Sequence, residues 1–342
     1  MDAIILEQPE RLRLTTRDAP PAPPPPGHAL VRVHRVGICG TDWHAYRGKQ
    51  PFFTYPRVLG HELGVEVVDV NDPAAAIKRG DRCAVEPYLN CGQCIACRHG
   101  KGNACANMQV LGVHRDGGMQ EFLIVPTNKL HPSKQLTLDQ LALVETLAIG
   151  CHAVARGQLR EGEHVLVIGA GPIGLSVLPF VQAGGGKLIV ADVAESRLEF
   201  CRRWGRVEHV IDARTDMPAA LRELTGGDMP TLVIDATGNE KSMASAFNLV
   251  APGGRLVFVG LFQGDLTFND PNFHRREMTI LASRNALPED FRHIIDLIEH
   301  KRIDTGAWIT HRVGHRGLID VFPQWLAPDA NVLKAMVSFD DQ

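Results

Sequence analysis

The feature that most constrains this chain is the glycine-rich segment "EHVLVIGAGPIGLSVL" at residues 163–178. A strand pattern leads into Gly169, Gly171 and Gly174, and a helix pattern follows. The first glycine permits a tight turn, the second lets the backbone approach a pyrophosphate, and the third allows close helix–strand packing. Asp192 closes the next strand pattern, where its carboxylate can accept hydrogen bonds from ribose hydroxyls. We therefore predict a dinucleotide-binding βαβ unit.

Asp192 also favours NAD over NADP, because its negative charge would repel a 2′-phosphate. Arg197, one turn into the next helix pattern, is either a solvated side chain or a cofactor contact. The N-terminus of the first helix would face the phosphates. The candidate cofactor residues at this turn are Gly169, Gly171, Pro172, Ile173, Gly174, Asp192 and Arg197.

Strand patterns then alternate with stretches of helical length as far as about residue 286. The strand patterns are "KLIVADV", "TLVIDATG", "GRLVFVG" and "MTILASR". This alternation predicts a doubly wound parallel sheet. The residues that follow these strands are further cofactor candidates: Thr237, Val259, Gly260, Leu261, Ser283 and Arg284.

Residues 1–150 have a different character. Short strand patterns such as "ALVRVHRVGIC", "GVEVVDV" and "MQEFLIVP" alternate with turns rich in glycine and proline, and helical periodicity is scarce. The segment "APPAPPPPG" is expected to be a stiff loop, because proline supplies no N–H for strand pairing. We predict a mostly β domain here. Near the end of the chain, "PEDFRHIIDLIEHKR" predicts an amphipathic helix and "LKAMVSF" a strand.

Length and charge limit the class of protein. A chain of 342 residues favours two domains. The net charge of −3 gives no electrostatic reason to expect nucleic acid or an anionic membrane as a partner. We see no secretory signal and expect no apolar run of membrane-spanning length. The sequence therefore predicts a cytoplasmic protein with a small-molecule partner.

Half of the eight cysteines lie in the short segment "NCGQCIACRHGKGNAC". Their spacing is C-x2-C-x2-C-x7-C, through Cys91, Cys94, Cys97 and Cys105. Four thiolates at this spacing suit a tetrahedral zinc ion in a closed, structural site. An iron–sulfur cluster and disulfides are the alternatives.

Three further segments carry metal-ligand side chains. They are "GICGTDWH", "GHELG" and "LALVETLAIG", which supply Cys39, His61, Glu62 and Glu145. A carboxylate inside an apolar run requires compensation, because burying an uncompensated charge costs several kcal/mol. A catalytic zinc needs about three protein ligands and an open position. Each residue alone could be an ordinary core residue, and the sequence alone does not bring them together.

In this order, the motifs resemble the zinc-dependent medium-chain alcohol/polyol dehydrogenase family over essentially the full chain. The resemblance implies a GroES-like, mostly β catalytic domain of residues 1–150 and 287–342, with a structural zinc lobe at about 88–108. It implies a Rossmann NAD-binding domain at 151–286. It also implies a homodimer or homotetramer.

The resemblance also assigns roles to single residues. The catalytic zinc ligands fall on Cys39, His61 and Glu62, and the fourth position falls on Glu145, which binds directly or through water. Thr41 and His44 match the inner and outer members of a proton relay. Two zinc ions per chain and NAD are therefore expected. Thr146 departs from the family, because the polyol branch usually has proline after this glutamate.

Longer stretches resemble one branch, the L-galactonate/L-gulonate 5-dehydrogenases. They include "GVHRDGGMQEFL" and "GLFQGDLTFNDPNFHRREMTILASRNALPEDF". This implies oxidation of a sugar acid at C5 to a keto-aldonate. A substrate carboxylate needs a cation or N–H donors; the candidate cations are Arg47, Lys49, Arg57, His274, Arg275 and Arg284. A neutral polyol such as sorbitol, L-threonine, or a non-catalytic NAD-binding zinc protein are the alternatives.

Overall fold

The computed structural model describes residues 1–51, 53–327 and 330–340. The strands are β1 (Asp2–Gln8), β2 (Arg11–Thr16), β3 (His28–Ile38), β4 (Arg57–Val58), β5 (Glu62–Asn71), β6 (Arg82–Val85), β7 (Tyr88–Leu89), β8 (Gln109–Val110), β9 (Phe122–Pro126), β10 (Leu130–Pro132), β11 (His164–Ile168), β12 (Lys187–Asp192), β13 (His209–Asp212), β14 (Leu232–Asp235), β15 (Arg255–Phe258), β16 (Thr279–Ala282), β17 (Ile309–Gly314) and β18 (Lys334–Ser338).

The helices are α1 (Gly40–Tyr46), α2 (Ile95–Arg98), α3 (Leu138–Gly157), α4 (Pro172–Ala183), α5 (Glu195–Arg203), α6 (Met217–Leu224), α7 (Glu240–Ala246), α8 (Asp270–Arg275), α9 (Pro288–Glu299) and α10 (Leu318–Trp325). Short 3-10 turns occur at Gly102–Ala104, Thr127–Lys129 and His315–Gly317. The chain divides into two compact units, Met1–Thr146 with Leu287–Gln342, and Leu147–Ala286.

The first unit is built around the long strand β3. Its main sheet has the order β10-β6-β5-β3-β18-β17, and β9 also pairs with β3. Two smaller sheets have the orders β2-β1-β4 and β7-β8. The C-terminal part of the chain completes the main sheet, since β18 pairs antiparallel with β3 and β17 pairs parallel with β18. Val31, Val33 and Val36 of β3 are fully buried in the core of this unit.

The second unit contains the predicted parallel sheet, which is confirmed. Its order is β13-β12-β11-β14-β15-β16, and every pairing is parallel. Strands of a sheet that is covered by helices on both faces have almost continuous apolar sequences. Accordingly, Val165, Leu166 and Val167 of β11 have no exposed surface. The strand order reverses next to β11, where doubly wound sheets bind their ligands.

Helix α3 corrects two sequence-based expectations. We expected few helices before residue 150 and no apolar run of membrane-spanning length. Instead, α3 has 20 residues and is, by length and composition, apolar enough to cross a membrane. In the fold, 72% of its most apolar window is buried. A helix that is buried on most sides has no polar face. Its sequence therefore lacks the alternation of apolar and polar residues that reveals the helical period. The two units divide at Thr146, within α3, whereas the sequence placed the boundary at 150.

Helix α3 packs very closely against α4 at Gly150. A Cβ atom added there would lie 2.2 Å from the backbone carbon and oxygen of Ser176. Both residues belong to the second unit. Backbone atoms cannot give way as a flexible side-chain end does, so this contact requires glycine.

We expect Gly150→Ala to lower the thermal unfolding midpoint of the protein. Alanine would stabilise an isolated helix by about 1 kcal/mol, but forcing a methyl group into a packed interface costs about 1–3 kcal/mol or more. At Gly314, φ is −71° and a Cβ would meet nothing within 4 Å. Gly314→Ala is therefore the matched control and should leave the midpoint nearly unchanged. Equal midpoints for the two variants in circular dichroism melts would contradict the packing argument.

Candidate functional site

The four cysteines of the predicted lobe come together in the first unit. The segment from β7 through α2 to β8 wraps around them, and their sulfur atoms all lie within 4.8 Å of one another. The Sγ–Sγ distances are 3.5 Å for Cys94–Cys97, 3.5 Å for Cys91–Cys105 and 3.8 Å for Cys94–Cys105. A tetrahedral zinc with Zn–S bonds of about 2.3 Å has edges of about 3.8 Å. Disulfide sulfurs would be about 2.05 Å apart.

Backbone N–H groups point at these sulfur atoms. The N–H of Cys94 donates to Cys91 Sγ at 3.4 Å, and the N–H of Asn107 donates to Cys105 Sγ at 3.3 Å. The N–H groups of Gln93 and Cys94 lower the pKa of Cys91 to about 6, whereas burial raises the pKa of Cys105 to about 11. The spacing of the four sulfur atoms, rather than their pKa values, gives the lobe the geometry of a structural zinc site.

A second group of potential ligands forms at one end of β3. Cys39 directly follows β3, His61 directly precedes β5, and Glu62 begins β5. These strands are antiparallel, with Gly37 opposite Glu62. The end of one strand therefore lies beside the start of the other. The ligand atoms of Cys39, His61 and Glu62 all lie within 4.8 Å of one another.

His61 shows that this cluster fits a metal ion. Its ring is buried, and its Nδ1 has no hydrogen-bond partner among the described residues. The nearest carboxylate oxygen, Asp42 Oδ1, lies 3.9 Å away. Burial lowers the pKa of His61, but the charges of Cys39 and Asp42 outweigh it and raise the pKa well above its ordinary value. An unpaired buried ring nitrogen beside a thiol and a carboxylate is a suitable donor set for zinc.

Glu145 lies on α3 and is 4% exposed. It is not in the group of mutually close ligand atoms, but its charge contributes to the raised pKa of His61. Burial raises the pKa of Glu145, and the opposing charge of His61 lowers it. The hydroxyl of Tyr88 donates a short hydrogen bond to Glu145 Oε1. Next to it, Thr146 is buried, and its hydroxyl has no hydrogen-bond partner among the described residues.

Lys334 is a site residue that sequence reasoning missed. Its Nζ lies 2.6 and 2.7 Å from the two carboxylate oxygens of Glu62, and both side chains are 1% exposed. Burial lowers the pKa of Lys334, but the charges of Glu62 and Cys39 outweigh it and raise the pKa. A Cβ on Gly37 would lie 2.1 Å from Glu62 Oε2, so this glycine leaves room for the carboxylate. The only signal in the sequence was one lysine within the apolar pattern "LKAMVSF".

Asp42 connects the two loops that carry the ligands. It is fully buried, and its Oδ2 accepts a hydrogen bond from the N–H of Cys39 at 2.8 Å. Its Oδ1 accepts from the N–H of Gly60 at 3.4 Å. Burial raises the pKa of Asp42, and the charge of His61 lowers it. Asp42 lies three residues after Cys39 in the sequence, which gave no indication of this role.

The predicted cofactor turn lies in the second unit between β11 and α4. Gly169 has φ of 95°, and a Cβ on Gly174 would lie 1.7 Å from the carbonyl oxygen of Gly169. Gly171 precedes the first residue of α4, Pro172. A larger side chain would therefore strain the left-handed backbone at Gly169 and clash with backbone atoms at Gly174, whereas a Cβ on Gly171 would meet only the Arg197 side chain, at 3.6 Å.

Asp192 ends β12 and fastens the turn. Its Oδ2 accepts from the N–H of Ala170 at 2.6 Å, and its Oδ1 accepts from the N–H of Ala194 at 2.8 Å. The guanidinium of Arg197 lies close to the turn, because its Nη1 is 3.6 Å from where a Cβ on Gly171 would be. A carboxylate and a cation therefore both lie at the glycine turn.

The other cofactor candidates follow strands of the same parallel sheet. Thr237 comes after β14, and its hydroxyl donates to Asp235 Oδ1 at 2.7 Å. Gly260 lies so close to Gly238 that a Cβ would be 2.3 Å from its nitrogen. Leu261 is 67% exposed, and Ser283 is buried. The remaining candidates are Ile173 in α4, Val259 after β15 and Arg284 after β16.

The structure gives no preference among the cations proposed for a substrate carboxylate. Arg57 lies 3.7 Å from Asp116 and donates to Thr54 at 2.8 Å. Arg47 donates to the carbonyl of Leu326 at 3.2 Å. Other candidates are engaged or exposed: Arg275 donates to Asn272, Lys49 and Arg284 have interactions of their own, and His274 is exposed.

Comparisons with known proteins support the resemblance. The family model of the alcohol dehydrogenase GroES-like domain matches residues 25–135, and that of zinc-binding dehydrogenases matches residues 172–300. The chain is 41% identical to L-galactonate-5-dehydrogenase of Escherichia coli (strain K12), over 99% of both chains.

Solved structures give the same family. The crystal structure of the alcohol dehydrogenase RspB of E. coli CFT073, complexed with NADH, has a TM-score of 0.91 and 31% identity, and the match covers 99% of both chains. A zinc-binding dehydrogenase of Sinorhizobium meliloti 1021 bound to NADP has a TM-score of 0.88 and 26% identity, and the match covers 98% of both chains. The predicted GroES-like and Rossmann architecture is confirmed. The chain belongs to the zinc-dependent medium-chain alcohol dehydrogenases.

Proposed function

We propose that this enzyme oxidises the C5 hydroxyl of a sugar acid of the L-galactonate/L-gulonate type, transferring a hydride to NAD and producing a keto-aldonate. The observation that carries this proposal is the 41% identity with L-galactonate-5-dehydrogenase over 99% of both chains. The group of Cys39, His61 and Glu62, of which His61 and Glu62 are buried, supplies a suitable metal centre for the chemistry.

The catalytic zinc would be held by Cys39, His61 and a carboxylate, either Glu62 or Glu145. When bound, zinc polarises the substrate oxygen and lowers the pKa of the alcohol. Asp42 fixes the Cys39 and Gly60 backbones through its two hydrogen bonds. Lys334 holds Glu62 by both oxygens, so that Glu62 binds metal only in competition with this ion pair.

The proton of the alcohol would leave along α1. Thr41 is half-buried and His44 is exposed. Residues three apart on a helix lie on the same face, so the two side chains lead from the buried end of the helix toward solvent. Thr41 would accept this proton while giving up its own hydroxyl proton to the relay, and His44 would release a proton to water.

The second zinc would be structural, held by Cys91, Cys94, Cys97 and Cys105, where no position remains open for substrate. We assign the catalytic role to residues 1–150 with 287–342, and NAD binding to residues 151–286. The cofactor would contact the glycine turn, Asp192, Arg197 and the residues after β14, β15 and β16. We also infer a cytoplasmic homodimer or homotetramer that binds no nucleic acid and no membrane.

Metal content tests the two proposed zinc sites. We expect two zinc ions per wild-type chain, and one in Cys39→Ser or His61→Ala with turnover abolished, because these substitutions remove a catalytic ligand. Cys201→Ala is the matched control, since this thiol is buried in α5 and belongs to neither of the two groups of potential zinc ligands. Elemental analysis and NADH absorbance measure both effects. Near-normal activity in either ligand variant would refute the assignment, and a wild type with one zinc and no turnover would favour a non-catalytic protein.

Cofactor preference tests the proposed role of Asp192. We expect the wild type to prefer NAD, and Asp192→Asn to reduce the ratio of kcat/KM for NAD over NADP by about tenfold or more, which is about 1.4 kcal/mol. Asparagine removes the charge and keeps only one of the two oxygens that accept from the N–H groups of Ala170 and Ala194, so the loss of one hydrogen bond at the turn accompanies the loss of charge. Asp212→Asn, at the end of the neighbouring strand β13, is the control. A wild type that prefers NADP would show that Arg197 rather than Asp192 dominates the choice.

Substrate preference tests the proposed oxidation of a sugar acid. In a panel of L-galactonate, L-gulonate, sorbitol and L-threonine, followed by NADH absorbance, we expect the highest kcat/KM with a sugar acid. A carboxylate that forms charge-assisted hydrogen bonds adds binding that a neutral polyol lacks. Efficient sorbitol turnover without aldonate turnover would instead identify a neutral polyol dehydrogenase.

A further inference from the structure

The phenol of Tyr88 reaches the buried carboxylate of Glu145 from a part of the chain that sequence reasoning assigned only to the structural lobe. Tyr88 is 3% exposed, and its hydroxyl donates to Glu145 Oε1. This hydrogen bond joins Tyr88 in β7 to Glu145 in α3.

The Tyr88 ring is held on its other side by aromatic packing. Phe291 of α9 meets it edge-on, with ring centroids 6.3 Å apart and planes at 73°. His131 stacks on the same Phe291 at 4.9 Å and lies 3.2 Å from Glu86 Oε2. The ring thus packs against groups that are themselves fixed.

The backbone that carries Tyr88 is anchored at both ends. Before β7, Glu86 is 1% exposed and forms a short ion pair with the buried Lys129. After β7, Asn90 accepts from Lys129 Nζ at 2.9 Å and donates from its Nδ2 to Cys97 Sγ at 3.6 Å. The segment from Glu86 to Asn90 therefore links the cysteine lobe to Glu145 through buried contacts.

Glu62 and Glu145 are restrained in different ways. Both oxygens of Glu62 face the ammonium of Lys334, at 2.6 and 2.7 Å. The phenol of Tyr88, in contrast, is a neutral donor and engages one oxygen of Glu145. A hydrogen bond to one oxygen of a ligand carboxylate fixes the orientation of that carboxylate.

We propose that Tyr88 is the positioning residue of Glu145, which fixes this carboxylate toward the catalytic metal by a single hydrogen bond from a ring anchored to the cysteine lobe. The inference rests on the proposed zinc at Cys39 and His61. Tyr88 acts through Glu145 and has no direct role in the chemistry.

The test measures zinc and needs no substrate. Zinc is titrated away from the purified enzyme with a chromophoric chelator, and Cys39→Ser identifies which zinc is the catalytic one. We expect Tyr88→Phe to weaken retention of the catalytic zinc about 10- to 100-fold, the usual effect of losing such a hydrogen bond, while the cysteine-lobe zinc stays bound. Tyr46→Phe, which removes a hydroxyl from a ring packed on Phe322, is the matched control and should behave as wild type.

A double-mutant cycle separates positioning from a general structural effect. In a Glu145→Ala background, Tyr88→Phe should cause no further loss of zinc, because the residue it positions is gone. The proposal is overturned if Tyr88→Phe retains zinc as wild type does, or if it weakens zinc equally in both backgrounds. Because the assay contains no alcohol, inactivity toward sugar acids would refute the proposed substrate and leave this result unaffected.

Discussion

The first unit depends on mutual compensation among ionisable side chains at the end of β3. Asp42, Glu62 and Lys334 have almost no exposed surface, and an unpaired buried charge costs several kcal/mol. Lys334 offsets Glu62, and the amides of Cys39 and Gly60 satisfy Asp42. Acidic groups still outnumber basic ones in this cluster, which consists of Cys39, Asp42, His61, Glu62, Glu145 and Lys334. A divalent cation at this position would supply the missing positive charge.

Strand pairing brings these groups together. On one side of β3, Gly37 is paired with Glu62 of β5; on the other, Ile38 is paired with Ala335 of β18, next to Lys334. A shift of one residue in either pairing would turn these side chains to the opposite face of the sheet. The register of β3 with its two neighbours therefore specifies the cluster as much as the residues themselves do.

Features encoded within one short segment could be predicted from the sequence. The glycine turn and the spacing of the four cysteines each determine their own geometry through neighbouring residues. The contacts of Lys334 and Tyr88 could not be predicted, because each partner, Glu62 or Glu145, lies far away in the chain. Helix α3 was missed for another reason: a helix with apolar residues on most of its faces has no period for the sequence to reveal. The family resemblance, rather than spacing, suggested that Cys39, His61 and Glu62 belong together.

The pairing of β18 with β3 affects the order in which the two units fold. All strands of the parallel sheet lie between residues 164 and 282, so this unit can fold as soon as that stretch has emerged from the ribosome. The other unit is begun first but completed last, because the cation that neutralises Glu62 is 272 residues further along the chain. Until β18 is synthesised, residues 35–38 of β3 have an unpaired edge, which in other proteins invites aggregation. β18 therefore both pairs with the end of β3 and makes burial of Glu62 favourable.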